Sequence, residues 1–208
     1  MVNGLFPKTE RAVVMSVLEK SVVFLTADNI AQGINDSGFV NTAWKLANLY
    51  LTSIGAPCLS DEAPLLDGLS EGTMCYVSMR YFSQTDRFAD FIVHETAHIF
   101  HNCKRETIGL PHTRTREWLL PIDFHKRETF AYACEAYSRI LELSSRRADC
   151  KALLEEYART SLTGDERVDD QELVSILADA ISVRNGWKRI LVRCSPPHKR
   201  TPGKPSQP

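Results

Sequence analysis

The stretch FIVHETAHIFHN, residues 91–102, constrains the fold of this 208-residue chain more than any other. Its apolar residues surround three histidines and a glutamate, so the helix predicted over about residues 86–103 would be buried on most sides. Buried imidazoles and carboxylates are costly unless they are paired or bind a metal. On a helix, His94 and His98 lie about 6 Å apart along the axis and about 40° apart around it. Two imidazoles so placed can bind one cation, which predicts a metal site that other elements must complete.

The other two polar residues of this helix have different geometries. Glu95 points about 100° away from His94, so its carboxylate is placed to activate a water molecule and not to bind the metal. His101 lies about 10.5 Å along the axis from His94, which is too far for a zinc–nitrogen bond of about 2.0–2.1 Å. We therefore expect His101 to support the site from beside it, and the third ligand to come from another part of the chain.

His94, Glu95 and His98 form an H-E-x-x-H sequence with apolar neighbours on both sides, and in this the chain resembles the zinc metallopeptidases called zincins. The resemblance covers about residues 73–140. It implies one Zn²⁺ ion per chain, hydrolysis of peptide bonds, and Glu95 as the base that activates the attacking water. The metzincin branch of the family does not fit, because it requires a glycine and a histidine where this chain has His101 and Lys104.

The run RETFAYACE, residues 127–135, resembles the pattern of the gluzincin branch, in which a glutamate on a downstream helix completes the site. This resemblance implies Glu128 as the third metal ligand. The apolar residues of the run predict a buried helix over about residues 125–143, on which Glu135 shares a face with Glu128. Glu135 therefore stays open as a ligand or as the hydrogen-bond partner of a histidine, and His125 stays open as a ligand.

A peptidase also needs a donor to the oxyanion that forms on the attacked carbonyl. Tyr132, on the face of Glu128, is the catalytic candidate for this role, and His112 in the preceding loop is the alternative. The thermolysin-like pattern has an aspartate where this chain has Tyr132, which leaves the hydrogen-bond partner of the ligating histidines undetermined.

The segment TMCYVSMRYF, residues 73–82, alternates between two sets of side chains and predicts a strand just before the metal-site helix. Zincins have an edge strand in this position, so the resemblance implies that an extended peptide pairs with it through main-chain hydrogen bonds. The predicted fold class is α+β and mostly α-helical, a small zincin-like domain with a short β-sheet or edge strand packed beside the H-E-x-x-H helix.

Helical periodicity dominates the rest of the chain. The further predicted helices cover about residues 9–25, 38–54, 149–159 and 169–192. We expect a single catalytic domain over residues 1–187, with an N-terminal helical part at 1–56 and the metal-site core at 73–146. Residues 188–208 are expected to form a basic, proline-rich tail that is disordered from about residue 195.

Charge and cysteine usage narrow the functional class. Removing the six positive charges of residues 188–208 from the net charge of −1 leaves residues 1–187 at about −7, which argues against a globally basic nucleic-acid binder. No stretch approaches the roughly 18 uninterrupted apolar residues of a membrane span, and charges interrupt the N-terminal apolar segment, so we expect neither a signal peptide nor a membrane association. Six cysteines without a CxxC pair favour a reducing, cytoplasmic setting, although an even number leaves disulfides open.

The expected function is therefore a zinc-dependent metallopeptidase that acts on a protein or peptide. One alternative keeps the zincin-like site but binds a protein partner or acts on another bond. A further alternative is a helical interaction module whose basic tail contacts nucleic acid. Zinc content and the effect of Glu95→Gln on cleavage would separate the three.

Overall fold

The computed structural model describes residues 1–114 and 116–197. Over these residues the protein is α+β and mostly helical, with 57% helix and a small three-stranded sheet. The α-helices in the described residues are α1 (Val2–Leu5), α2 (Arg11–Ser21), α3 (Ile30–Asp36), α4 (Val40–Ser53), α5 (Phe91–Asn102), α6 (Arg127–Leu143), α7 (Asp149–Thr160), α8 (Asp170–Ser182) and α9 (Gly186–Cys194). The strands are β1 (Val22–Phe24), β2 (Gly68–Glu71) and β3 (Met74–Val77), and short 3-10 helices cover Met79–Ser83, Arg105–Ile108 and Phe124–Lys126.

The sheet has β3 in its centre, in the order β1-β3-β2. β1 pairs with β3 in parallel, and β2 pairs with it antiparallel. Successive side chains of a strand point to opposite faces, and here both faces are covered. Cys75 and Val77 join the main core, whereas Tyr76 joins a smaller cluster with residues that include Leu46 and Leu49 of α4.

The strand predicted over residues 73–82 is shorter and differently placed than expected. β3 ends at Val77 because the Ser78 hydroxyl accepts a hydrogen bond from the Arg80 N–H at 3.2 Å and begins a 3-10 helix. The expected edge position is also wrong, since β3 is the central strand. The strand beside α5 at the edge of the sheet is β2, for which the sequence predicted no strand.

Helix α5, which carries the H-E-x-x-H sequence, begins at Phe91 and not near Asp86. Asp90 is its N-cap residue, because the Asp90 carboxylate accepts a hydrogen bond from the Val93 N–H at 3.1 Å. Asp86 instead closes a separate turn by accepting from the Phe88 N–H at 2.8 Å. α5 then packs along α6, which brings the two candidate ligand-bearing helices together.

Two other predicted helices are interrupted. The helix expected over residues 9–25 ends at Ser21, and Val22–Phe24 join the sheet, where β-branched residues pack well. The single helix expected over residues 169–192 is two helices, α8 and α9. The second begins where the Asn185 side chain accepts a hydrogen bond from the Lys188 N–H at 3.2 Å.

The main core joins both ends of the described chain. It extends from Val2 in α1 to Cys194 in α9, and α9 contacts α1, α6 and α8. Ile190 and Cys194 are fully buried. Residues 188–194, which the sequence analysis placed in a tail, are therefore part of the packed body of the protein.

The disorder expected from about residue 195 falls mostly on residues 198–208, which lie outside the described residues. Within α9, Arg189 and Arg193 form ion pairs with Asp179 of α8, so these two charges are partly neutralised. All six cysteines lie in the described residues and are free thiols, and five of them are buried. Among the described helices, none has both the length and the apolar character that crossing a bilayer requires.

Candidate metal centre

Three side chains from α5 and α6 converge. The Nε2 atoms of His94 and His98 are 3.2 Å apart. Glu128 Oε2 lies 3.3 Å from His98 Nε2 and 3.7 Å from His94 Nε2. One ligand atom from each of the three residues lies within 4.8 Å of the other two. The two histidines meet because they are one turn apart on α5, and Glu128 reaches them from the first turn of α6.

The spacing of these atoms fits a tetrahedral zinc ion. With zinc–ligand bonds of about 2.0–2.1 Å, two ligand atoms at corners of a tetrahedron are about 3.3 Å apart. The three observed separations, 3.2, 3.3 and 3.7 Å, lie close to that value. Two imidazoles and one carboxylate also form a donor set typical of catalytic zinc, in which a fourth position stays available to water or substrate. The residues present therefore fit a zinc ion.

Glu135, the alternative ligand, lies on the other side of His94. Its Oε2 is 3.0 Å from His94 Nδ1, and its Oε1 accepts a hydrogen bond from the Asp90 N–H at 2.6 Å. A carboxylate that accepts the Nδ1 proton of an imidazole leaves the Nε2 atom as the ligand and fixes the ring orientation. His125 is exposed and is not one of the three converging residues.

His101 orients the second histidine. Its Nε2 is 3.0 Å from His98 Nδ1, and its Nδ1 is 3.1 Å from the side-chain oxygen of Asn102. Burial, followed by the charge of His98, lowers the pKa of His101 to about 3, so the ring is neutral at physiological pH. A neutral His101 that donates to Asn102 can accept the Nδ1 proton of His98. The Nε2 atom of His98 is then directed at Glu128 and His94.

An unpredicted residue, Arg167, holds Glu128 in place. Its guanidinium donates to Glu128 Oε1 at 2.8 Å and binds Asp165 through two further hydrogen bonds of 2.9 and 2.6 Å. This leaves Glu128 Oε2 directed towards the histidines. Arg167 lies in the loop between α7 and α8, 39 residues after Glu128. No spacing rule connects such distant residues, so the sequence carried no signal for this contact.

Burial and ion pairing shift the pKa values of the ligands in opposite directions. Burial acts to lower the pKa of His94, but hydrogen bonds with Glu128 and Glu135 outweigh it and raise the pKa to about 10. For Glu128, burial acts to raise the pKa, and the hydrogen bonds with His94 and His98 lower it well below its usual range. Without a metal, the cluster therefore holds a proton that compensates the carboxylates, as a bound cation would.

The side chain of Glu95, on α5, is buried against strand β2. Its carboxyl group hydrogen-bonds to Ser70, and its side chain passes so close to Gly68 that a Cβ added there would lie 2.5 Å from Glu95 Cγ. Burial raises the pKa of Glu95, while the nearby charges of His98 and His94 act to lower it. The structure thus places Glu95 outside the ligand cluster, next to the edge strand β2. The glycine at position 68 was the one sequence feature that could have indicated this close approach.

Tyr132 lies next to the cluster, whereas His112 does not. The Tyr132 ring contacts the His94 ring edge to face, with centroids 4.5 Å apart. Burial raises the pKa of the Tyr132 hydroxyl, so it stays protonated at neutral pH and can donate a hydrogen bond. His112 is exposed, pairs with Glu106 at 3.4 Å, and does not line the same cavity.

The three candidate ligands and Glu95 line one cleft with a volume of about 900 Å³, together with Tyr132 and the orienting residues Glu135, His101 and Arg167. This volume lies within the range of about 300–1,000 Å³ typical of ligand sites. Its walls come from α5, α6, β2 and the α7–α8 loop, and the exposed apolar side chains of Leu65 and Phe124 also contribute. The cleft is thus large enough for several residues of a peptide.

Comparison of the chain with models of known protein families, with curated proteins and with solved structures found no match in any of the three. The resemblance to zincins stays a local one, carried by the H-E-x-x-H motif and the downstream glutamate.

Proposed function

We propose that the protein is a zinc-dependent metallopeptidase whose zinc is held by His94, His98 and Glu128. The observation that carries this proposal is the convergence of their three ligand atoms within 4.8 Å, in an open cleft that also contains Glu95. An ion pair between a histidine and a glutamate needs no further partners, but here both histidines also have partners at their Nδ1 atoms. Such partners are typical of histidines that bind a metal.

Zinc bound at this site would polarise the peptide carbonyl and activate the attacking water. Glu95 takes the proton of that water and then passes it to the nitrogen of the leaving amine, a role for which its raised pKa is suited. Tyr132 donates a hydrogen bond to the oxyanion that forms on the attacked carbonyl. Glu135 and His101 keep the two ligating imidazoles oriented throughout.

The sheet supports a peptide as the substrate. β2 pairs with β3 on one side, and within the described residues no strand pairs with its other side. Gly68, Leu69 and Ser70 of β2 line the cleft. An extended peptide can add to such an edge by main-chain hydrogen bonds, which would bring its carbonyl groups past Glu95. The free thiols of all six cysteines fit a reducing cytoplasmic setting for this activity.

The experiment compares wild-type protein, Glu95→Gln and the surface control Glu19→Gln, each with its zinc content measured, on a mixture of unstructured peptides and an unfolded protein. We expect cleavage by wild type and Glu19→Gln, and none by Glu95→Gln although its zinc content is unchanged. A zinc-loaded wild type that cleaves nothing would instead favour a zincin-like domain that binds a partner or acts on another bond.

A further inference from the structure

Arg127, in the first turn of α6, carries a positive charge that lines the cleft without an ion-pair partner in the described residues. Within residues 1–114 and 116–197, its Nε atom is buried without a hydrogen-bond partner, and its guanidinium forms no ion pair. The side chain lines the cleft and is about half-buried. A guanidinium without an ion pair in a partly desolvated cleft binds an anion more strongly than one at the open surface.

The guanidinium of Arg127 is held at the cleft by an aromatic ring. It lies over the ring of Phe124, 5.1 Å from the centroid, and Phe124 itself lines the cleft and is 73% exposed. Arg127 directly precedes the proposed ligand Glu128 on α6 and lines the same cavity, so its charge lies near the metal cluster. The cation is thus positioned before any ligand arrives.

The other arginine of the cleft is already engaged. Arg167 binds both Asp165 and Glu128. The acids nearest the cluster, Glu128 and Glu135, are likewise bound to histidines or arginine. Arg127 is therefore the arginine of the cleft that remains available to an anion from outside.

We propose that Arg127 binds a carboxylate of the peptide substrate, close to the scissile bond. The peptide nature of the ligand rests on the proposed function, while the preference for a carboxylate rests on Arg127 itself. A planar guanidinium matches a carboxylate through two parallel hydrogen bonds, and a peptide carries this group on acidic side chains and at its C-terminus. The protein accordingly prefers peptides with an acidic side chain close to the scissile bond, or scissile bonds close to the C-terminal carboxylate of the peptide.

The test measures binding, so it does not depend on turnover. The zinc-loaded full-length Glu95→Gln protein is titrated with acetylated heptapeptides in which one Glu is moved through an alanine and leucine background. Each peptide has a Gln counterpart, and the background peptide is used both as a free acid and as a C-terminal amide. The same series is repeated with Arg127→Gln or Arg127→Lys added. Two further variants are Lys45→Gln, which removes another cation that lines the cleft, and the exposed control Arg184→Gln.

We expect at least one carboxylate peptide to bind about tenfold tighter than its neutral counterpart, as a charged hydrogen bond at a half-buried site predicts. Arg127→Gln should abolish this preference, Arg127→Lys should retain part of it, and Lys45→Gln and Arg184→Gln should leave it unchanged. The Glu series and the acid–amide pair then distinguish a side-chain carboxylate from a C-terminal one. If Arg127→Gln does not fold, a reduced preference in Arg127→Lys supports the proposal and an undiminished one contradicts it.

A preference that survives in Arg127→Gln would mean that the zinc binds the carboxylate and would overturn the proposal, as would equal binding of all peptides or no binding at millimolar concentration. Cleavage by the wild type is scored separately on the same peptides. Cleavage without any Arg127-dependent preference leaves the proposed function standing and removes the carboxylate subsite. An Arg127-dependent preference without any cleavage leaves the carboxylate subsite standing and contradicts the proposed peptidase function.

Discussion

The two histidines of the candidate metal centre each use both ring nitrogens, and each nitrogen has a different partner. His94 meets Glu135 with Nδ1, and His98 meets His101 with Nδ1, so both Nε2 atoms are left to converge on Glu128. An imidazole held at one nitrogen presents the other in a fixed direction. Contacts at the Nδ1 atoms thus fix the directions of the two imidazole rings, so that their Nε2 atoms face the Glu128 carboxylate.

Gly68 tests the position of the proposed base, Glu95. A methyl group in Gly68→Ala would meet Glu95 Cγ at 2.5 Å, so either the side chain or β2 must move. We expect a loss of about 1–3 kcal/mol in the free energy of unfolding, as for other overpacked sites, together with reduced cleavage and unchanged zinc content. Gly38→Ala is the matched control, since its added methyl has its nearest neighbour at 3.8 Å. Equal cleavage by both variants would show that Glu95 is not confined by β2.

The raised pKa of His94 predicts that zinc binding releases a proton. With a pKa of about 10, His94 is protonated in the metal-free protein at pH 7.5 and loses its proton only as the pH rises through that value. A metal ligand must be the neutral imidazole, so about one proton should leave for each zinc bound, and zinc affinity should rise with pH.

Calorimetric titration at pH 7.5 in two buffers of different ionisation enthalpy measures this proton release. Glu135→Gln removes one of the two carboxylates that raise the pKa of His94, so it should release less than wild type or Glu19→Gln. No net release from the wild type would contradict the geometry around His94.

At the scale of elements, the start of α5 determines how the ligands are presented. The Asp90 side chain caps the helix, and the Asp90 N–H binds Glu135, so one residue links the helix end to the partner of His94. Asp90→Ala should lower the free energy of unfolding in urea by about 1 kcal/mol through loss of the cap, while Asp90→Asn should retain most of it. Equal losses in the two variants would show that the cap does not stabilise α5.

The sequence indicated the elements with strong local periodicity and missed those defined by distant pairing. The i, i+4 spacing of His94 and His98 on an apolar helix was sufficient to predict the helix α5, although not its first residue. β2 was missed because Gly68–Glu71 has no strand pattern of its own and is ordered by pairing with β3. The contact between Arg167 and Glu128 was missed for the same reason, since it depends on a loop that only the packed helices bring to the site.

At the scale of the whole molecule, α9 closes the core over α6, the helix that carries Glu128. Ile190 is fully buried, whereas Val192 on the same helix is 57% exposed. Ile190→Ala should therefore lower the free energy of unfolding by about 2–5 kcal/mol, and Val192→Ala should change it by less than about 0.5 kcal/mol. Denaturation followed by circular dichroism measures both, and similar values for the two variants would contradict the packing of α9 on the core.

The most direct test of the metal centre is a zinc titration of the full chain against a competing chelator, compared between wild type, Glu128→Gln and Glu19→Gln. The geometry predicts one zinc per chain in the wild type and in Glu19→Gln, and an affinity at least tenfold lower when Glu128 loses its charge. A wild type that binds no zinc, or a Glu128→Gln variant that binds it as tightly as the wild type, would contradict a site formed by His94, His98 and Glu128.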